Sequence, residues 1–304
     1  MKNAIKVICF VIAVIIIGAS SAYVYLTWDV GEFEYSPGSQ SGTVVIDSYI
    51  GKSVNIVIPR RLRGRKVVSI GEKAFSETNI ESVKIGNNVK SIGKNAFVDC
   101  VKLKSVEISD EVQSIGEMAF TGCSVLESVK ITSQLKKLDS PVFALDPMLP
   151  KIDFGGETES FVCEDGVIYN ADKTVLYEAV GKADLSSYVI PSTVTEFKPY
   201  ALAHHTEITS IELPSGVKKL PSGILNGCTG LKQLTIPDGV TTLGVGIVSG
   251  SGVTEIRIPA SVKSIVEGAF INMEKQLTIV TVENSWAAQY GKTNNIPVKI
   301  VDSL

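Results

Sequence analysis

The chain has 304 residues, of which 44% are hydrophobic and 20% charged, and its formal net charge is −3. This length and composition describe a folded globular chain with one large domain or two ordinary ones, and they exclude a disordered chain. The nearly neutral charge argues against nucleic acid as a partner, because nucleic-acid-binding domains usually carry a clear excess of basic residues.

Residues 1–28 carry the pattern of an export signal. Two lysines precede an apolar run that begins at Val7 and ends in small residues at Ala22. This is the order of charged, apolar and small-residue regions in a secretory signal peptide. The longer run from Val7 to Leu26 also has the roughly 20 residues that a membrane anchor needs. A cleaved signal and an uncleaved anchor both stay open, and both place the body of the protein outside the cytoplasm, at the cell surface or secreted.

Residues 29–66 are predicted to form an N-terminal cap for the repeats that follow. The cap contains the stretch RRLRGRK, which places five cations within seven residues. They are Arg60, Arg61, Arg63, Arg65 and Lys66. Such a cluster suits contact with an anionic surface, for example acidic polysaccharide, teichoic acid or phospholipid headgroups. A solvated basic loop is the simpler interpretation.

Two short units recur through residues 67–154 and again through 185–280, and they define two repeat blocks. The first unit is V-x-x-I or a close variant, and within each block it returns every 22 or 23 residues. Its eight copies begin at Val67, Val89, Val112, Leu135, Val194, Val217, Val240 and Val262. A second unit, L-x-x-V-x-I, precedes most copies, as in LKSVEI at Leu103. Each turn of the chain therefore holds two short extended segments, which is typical of a repeat architecture.

The apolar residues of L-x-x-V-x-I lie on one side of an extended strand, and a single strand cannot bury that side alone. Stacking successive turns about 4.7–4.9 Å apart aligns Val83, Val106 and Val129 in a continuous core. In the recurring phrase SIGEKAF, Gly71 is expected to relax the corner of the turn. One aromatic column is expected from Phe75, Phe97, Phe120, Phe143 and Phe270. The repeats predict a β-rich solenoid.

Two stretches interrupt the repeats. Residues 155–184 contain the turn signals Asp165–Gly166 and NADK between β-rich runs, and they are predicted to form an inserted hairpin. Residues 281–304 lose the repeat and contain Trp286, Tyr290 and a final β-rich run. This composition suits a C-terminal cap over the last rung of a solenoid.

These residues resemble a known family. The unit LKSVEISDEVQSIGEMAFTGC is similar to the repeat of the BspA-type leucine-rich repeat proteins, a family of bacterial and protozoan surface proteins. The cap segments and the inserted EDGVIYNADKTVLYEAVGK are also similar to segments of that family, so that the resemblance covers residues 42–301. It implies a right-handed leucine-rich repeat stack with short parallel strands, and a role in adhesion or in binding host matrix or neighbouring cells. The repeats at Leu135 and Leu220 depart from the pattern by reading LDSPVF and LPSGIL.

The cysteines of the repeats allow two interpretations. Cys100 and Cys123 lie at equivalent positions of neighbouring repeats, so a disulfide between them is geometrically open in an exported protein. Buried free thiols that complete the core are the simpler interpretation. Cys228 favours the second, because no cysteine occupies the neighbouring position above or below it.

Two histidines and one further cysteine raise the possibility of an enzyme. Cys163 with His204 or His205 would supply the nucleophile and base of a cysteine hydrolase. No orienting third group accompanies them, and a solvated turn is the simpler interpretation of the histidine pair. The sequence also lacks the spacing of a metal site or of a cofactor-binding loop.

The solvent side of the main strand is the predicted ligand-binding face, because its side chains project as a regular array. On successive rungs it presents Lys84, Glu107, Lys130 and Asp153, beside Ser82, Ser105 and Ser128. Opposite charges on adjacent rungs are expected to pair across the strands.

The sequence therefore predicts a non-catalytic binding or adhesion protein of the cell surface, or a secreted one, which presents this strand face to an extracellular protein or glycan. The N-terminal segment would add a membrane contact if it stays uncleaved, and no cofactor, metal or nucleic acid is expected. A structural spacer or display scaffold of the cell envelope is the first alternative, and a cysteine hydrolase is the more distant one.

Overall fold

A computed structural model describes residues 32–131, 133–146, 148–149, 152–154, 159–181, 183–186, 188–273 and 276–304. The predicted export signal or anchor at residues 1–28 lies outside these residues. Within them the chain is a solenoid of short strands, which confirms the predicted β-rich leucine-rich repeat fold. No helix in this part of the chain combines the length and apolar composition that crossing a bilayer requires.

The strands follow the two repeated units. The N-terminal cap and first rung contain β1 (Phe33–Pro37), β2 (Thr43–Tyr49), β3 (Asn55–Val57), β4 (Arg61–Leu62) and β5 (Arg65–Ile70). The first block continues with β6 (Ser82–Lys84), β7 (Ser91–Ile92), β8 (Ser105–Glu107), β9 (Ser114–Ile115), β10 (Ser128–Lys130), β11 (Lys137–Leu138) and β12 (Ile152–Asp153). The insertion contains β13 (Phe161–Glu164), β14 (Val167–Asn170) and β15 (Val175–Ala179).

The second block and the C-terminal cap complete the chain. The second block contains β16 (Glu196–Phe197), β17 (Lys219–Leu220), β18 (Gln233–Thr235), β19 (Thr242–Leu243), β20 (Glu255–Arg257), β21 (Ser264–Ile265) and β22 (Thr278–Thr281). The cap consists of helix α1 (Trp286–Thr293), whose N-cap Ser285 accepts a hydrogen bond from the N–H of Ala288, and strand β23 (Val298–Ile300). Each of these strands pairs with another described strand of residues 32–304.

Each rung of the first block gives one strand to each of two sheets. The first sheet runs β1-β2-β5-β7-β9-β11, with β4 paired to β5, and the second runs β12-β10-β8-β6-β3. In the second sheet Val83, Val106 and Val129 occupy one register position and are buried. All eight V-x-x-I/L segments form strands, and the predicted stacking is confirmed for both units in this block.

Two further copies of the L-x-x-V-x-I unit, LSSYVI at Leu185 and ITSIEL at Ile208, are expected to be strands as well, but the described residues of these segments form none. The second sheet ends at β12 because the insertion takes the place of the next rung. The apolar residues of both segments are nevertheless buried, among them Leu185, Ile190, Ile208 and Leu213. These rungs therefore pack into the core without a β-ladder.

The aromatic column forms in the first block only. Phe75, Phe97, Phe120 and Phe143 stack with centroid distances of 4.8, 5.1 and 5.7 Å. The expectation that Phe270 joins them is wrong. In the second block the equivalent positions are Leu202, Leu225 and Val248. Phe270 closes this aliphatic column, and its ring meets the edge of Tyr290 at 5.6 Å.

The glycine of SIGEKAF serves close packing between rungs rather than a special backbone conformation. None of Gly71, Gly93 and Gly116 has a positive φ. A Cβ atom on Gly93 would lie 2.7 Å from the carbonyl carbon of Gly71, and one on Gly116 would lie 2.6 Å from the amide nitrogen of Lys94. Because backbone atoms cannot move aside as a flexible side chain can, only glycine lets the rungs approach to strand spacing here.

The insertion joins two hydrophobic cores. β13, β14 and β15 form an antiparallel meander, and β15 then pairs in parallel with β16 of the second block. Ile168 and Val180 pack into the core of the first block, whereas Val167 and Tyr169 pack into that of the second. The predicted inserted hairpin is therefore extended by a third strand that continues the solenoid.

A buried carboxylate replaces a backbone acceptor where the two blocks meet. In the preceding rungs the N–H of each stacked phenylalanine donates to a carbonyl of the next rung, as Phe120 does to Val142 at 3.0 Å. At the insertion the carboxylate of Glu178 accepts instead, from the N–H of Val142 at 2.7 Å and of Phe143 at 3.1 Å. Burial raises the pKa of Glu178 to about 7, although these hydrogen bonds lower it. Burial and the nearby Glu178 raise the pKa of Asp146 to about 9.

Gly93→Ala is expected to destabilise the protein by about 1–3 kcal/mol, because the added methyl group forces two rungs apart. The free energy of unfolding in urea measures this. Asn87→Ala, at an exposed corner of the same rung, is the matched control and should change it by less than about 0.5 kcal/mol. Equal effects of the two substitutions would contradict the packing role of the glycine.

Glu178 makes stability depend on pH. Its folded-state pKa of about 7 lies above the ordinary 4.5, so the folded state binds the proton more tightly than the unfolded state. The resulting penalty is absent below about pH 4.5 and grows as the pH rises through about 7. Relative to Glu178→Gln, the wild type should lose on the order of 3 kcal/mol of stability across that window. Denaturant titrations at several pH values test this, with exposed Glu212→Gln as the control.

Candidate functional site

A groove of about 540 Å³ crosses the second sheet of the first block. The structure brings all seven residues of the predicted ligand-binding face together in it. Its outward side chains are Asn55, Val57, Ser82, Lys84, Ser105, Glu107, Ser128, Lys130 and Asp153. These residues define the strand groove.

Strand alternation explains why these side chains face solvent. In β6, β8 and β10 the central valine is buried, and the residues on either side of it point outward. Parallel pairing in register then aligns Ser82 with Ser105 and Lys84 with Glu107. The groove thus presents one column of hydroxyl groups beside one column of charges.

Charge pairing in the groove is partial. The ammonium group of Lys84 lies 2.9 Å from the Glu107 carboxylate, and both side chains are more than half exposed. The salt bridge of Glu107 goes to Lys84 rather than to Lys130, although Lys130 stands in register on its other side. The expected cross-strand ion pair is therefore confirmed between Lys84 and Glu107. Lys130 does not form a salt bridge with Glu107.

Two residues of the groove escape prediction from the sequence. Asn55 and Val57 belong to β3, whose Cα partners are Ser82 and Lys84. The side-chain oxygen of Asn55 accepts a hydrogen bond from the Ser82 hydroxyl at 2.7 Å. The sequence does contain a copy of the repeat unit here, because NIVIP at Asn55 has the same apolar spacing as SVKIG at Ser82. The basic stretch that follows it lengthens the interval to the next unit and makes this copy hard to recognise.

The predicted anionic-surface contact forms a β-hairpin at the first corner. β4 and β5 pair in antiparallel fashion around a turn in which Arg63 and Gly64 both have positive φ, as two-residue hairpin turns require. Eleven residues separate β3 from the paired Ser69, whereas six separate β6 from the equivalent Ser91. The basic stretch is thus an insertion that keeps the pairing of the repeat strands and adds Leu62 to the core.

The cysteines of the repeats are free and buried. The thiols of Cys100, Cys123 and Cys228 donate to carbonyl oxygens of the preceding rung at 3.0, 3.3 and 3.2 Å. Burial raises the pKa of Cys228 to about 12, which makes it a poor nucleophile. The structure thus favours structural thiols over a disulfide.

The histidine pair differs from the expected solvated turn. His204 is exposed, but His205 is only 3% exposed. One ring nitrogen of His205 lies 2.8 Å from the Glu207 carboxylate, and the other lies 3.3 Å from the Ala179 carbonyl oxygen. Both ring nitrogens of His205 thus have hydrogen-bonding partners, one of them in β15 of the insertion.

A second cleft of about 710 Å³ lies on the first sheet, beside the insertion. The ring of Tyr177 lies in its wall, with the Lys198 ammonium group 5.5 Å from the ring centroid. Most of its lysines are paired: Lys94 lies 2.5 Å from Glu117, Lys137 lies 2.7 Å from Asp139, and Lys198 lies 2.6 Å from Glu196. Within the described ranges, no cluster of three His, Cys, Asp or Glu side chains is placed to hold a metal ion.

Comparisons with known proteins agree with this architecture. Six copies of the BspA-type leucine-rich repeat region match residues 52–165 and 174–287. The solved structure of the pneumococcal vaccine antigen PcpA is similar over 80% of this chain and 73% of its own, with a TM-score of 0.62 and 21% identity. A leucine-rich repeat protein from Eubacterium ventriosum is similar over 79% of this chain and 80% of its own, with a TM-score of 0.58 and 21% identity. No curated protein matched the chain.

Lys84→Ala is expected to change the free energy of unfolding by less than about 1 kcal/mol, because an exposed ion pair contributes little. Val83→Ala, on the buried side of the same strand, should cost on the order of 2 kcal/mol. Urea denaturation of both variants measures the difference. If Lys84→Ala proved as costly as Val83→Ala, the groove charges would be part of the folding core rather than available to a ligand.

Proposed function

The chain belongs to the BspA-type leucine-rich repeat family, and from this premise we propose that it is a non-catalytic binding protein that works outside the cytoplasm. The strand groove takes an extracellular protein or glycan. The export pattern at the N-terminus supports the location, and the family supports a role at the cell surface.

The observation that carries this proposal is the pair of outward columns in the strand groove. The buried valines and the backbone hydrogen bonds between rungs stack the strands, and the exposed outward side chains add little to stability. The serine hydroxyl groups repeat at about 4.8 Å on neighbouring rungs, beside ammonium and carboxylate groups that alternate from rung to rung. Such a regular array of donors and acceptors suits an extended ligand, whether a peptide segment or a row of sugar hydroxyls.

A binding screen tests the proposal. Residues 32–304 are presented to panels of extracellular matrix proteins, mucin, glycans and whole cells, and retention is measured by surface plasmon resonance or pull-down. For any ligand retained, Lys84→Glu with Lys130→Glu should weaken binding at least tenfold, because both substitutions invert charges that line the groove.

The matched control makes the same change of charge elsewhere. Lys102→Glu with Lys218→Glu alters two exposed lysines outside the groove and should leave binding within about twofold of the wild type. A ligand that binds all three proteins equally would show that the groove is not its site. Failure to retain any ligand would favour the structural spacer, and turnover of an ester or peptide library that Cys163→Ala abolishes would overturn the non-catalytic proposal.

A further inference from the structure

Charge is segregated along the solenoid. Residues 32–66, which form the N-terminal cap and first rung, contain six basic and three acidic residues. Residues 67–304 contain 21 basic and 28 acidic residues. The N-terminal end is therefore positive, whereas the rest of the described chain is negative.

The hairpin holds its cations outward. Leu62 is the anchor, because it is 1% exposed and packs in the core of the first block. The side chain of Arg61 donates to the carbonyl of Gly64 at 2.5 Å and braces the turn. Arg60, Arg65 and Lys66 are exposed, and none of them is paired with an acidic side chain of the described residues. Their charge is uncompensated.

Exposed aliphatic side chains share the same end of the stack. Ile50, Val54 and Val57 are 54%, 39% and 67% exposed. They precede the hairpin directly in the first rung, with the exposed Lys52 between the first two. In the second sheet β3, which follows Val54, is the edge strand at this end, and in the first sheet β5 of the hairpin is the third strand, inside β1 and β2. At about 4.8 Å per strand, these side chains and the basic hairpin lie within about three strands of the N-terminal end.

The described chain begins beside this surface. The carbonyl of Glu32 accepts a hydrogen bond from the N–H of Ile50 at 2.7 Å, and its carboxylate accepts one from the Ser53 hydroxyl at 3.0 Å. The apolar run Val7 to Leu26 ends six residues before Glu32, and six extended residues reach about 22 Å. A chain held in a bilayer by this run therefore keeps this end of the solenoid within about that distance of the lipid headgroups.

We propose that this end of the solenoid docks onto an anionic phospholipid membrane. The docking surface, here called the first-rung surface, consists of Ile50, Lys52, Val54, Arg60, Arg61, Arg63, Arg65 and Lys66. The cations contact lipid phosphates, and the aliphatic side chains enter the boundary between headgroups and acyl chains. An anionic polysaccharide would neutralise the cations but leave the aliphatic side chains in water, so the combination favours a membrane. The acidic remainder is repelled from the same surface, which turns the solenoid outward.

Vesicle flotation tests the proposal with residues 32–304, so that the apolar run cannot insert. One set of vesicles contains equal parts phosphatidylglycerol and phosphatidylcholine, and the other contains phosphatidylcholine alone. The protein should float with the first set and not with the second, and binding should weaken as salt is raised. Each basic residue near an anionic surface strengthens binding by about fivefold. Arg60→Gln with Arg65→Gln and Lys66→Gln should therefore weaken it at least tenfold.

Two further variants separate charge from apolar contact. Ile50→Ser with Val54→Ser keeps every charge and should also weaken flotation severalfold. Lys218→Gln with Lys219→Gln and Lys263→Gln removes three exposed cations of the second block and should leave binding unchanged. Equal flotation with both vesicle sets, or equal loss in this control, would overturn the proposal. So would retention on heparin–agarose with no binding to phosphatidylglycerol vesicles, which would assign the cations to a glycan. Because the strand groove is intact in all these variants, the outcome does not depend on its ligand.

Discussion

Backbone hydrogen bonds between successive rungs fix the spacing on which the rest of this solenoid depends. In the first block the N–H groups of Phe75, Phe97 and Phe120 donate to carbonyls one rung further on at 2.8, 2.7 and 3.0 Å. Because each inner rung of the first block accepts from one neighbour and donates to the other, these rungs share one spacing and one register. That register stacks the phenylalanine rings and excludes a side chain at Gly93. It also lines up the outward residues of the strand groove.

The insertion shows what happens when a rung does not follow the pattern. β15 stands where the next strand of the first block would stand, yet it pairs with β14 and β16 and not with β11. The N–H groups of Val142 and Phe143 would then be buried without acceptors, which is costly. The Glu178 carboxylate supplies the acceptor at the expense of burying an ionisable group. The hydrogen bonding of the backbone at this point thus depends on the Glu178 side chain and on its state of ionisation, in addition to the apolar contacts of the insertion.

The repeat pattern carries most of the fold, because apolar spacing specifies both the inward face of each strand and its position on the next rung. The eight V-x-x-I/L strands and the Phe75 to Phe143 column follow from it. The pattern does not predict whether a neighbouring strand is present to form a β-ladder with a given segment. For this reason the segments at Leu185 and Ile208 look like strands in sequence but pack without pairing. The repeat pattern also does not specify contacts between distant turns. The burial of His205 and the role of Glu178 are therefore seen only in the structure.

The two proposed surfaces would bind through different interactions, and their positions follow from the direction in which the rungs stack. The strand groove lies along the side of the solenoid, where Lys84 and Glu107 compensate each other, so the proposed binding there would depend mainly on short-range contacts. The first-rung surface lies near one end and contains more basic than acidic residues, and this charge acts over about a Debye length, near 8 Å at physiological salt. A side surface stays accessible when an end surface is occupied. Docking by the end would therefore leave the groove open to solvent, and the stacked rungs would hold it away from the membrane.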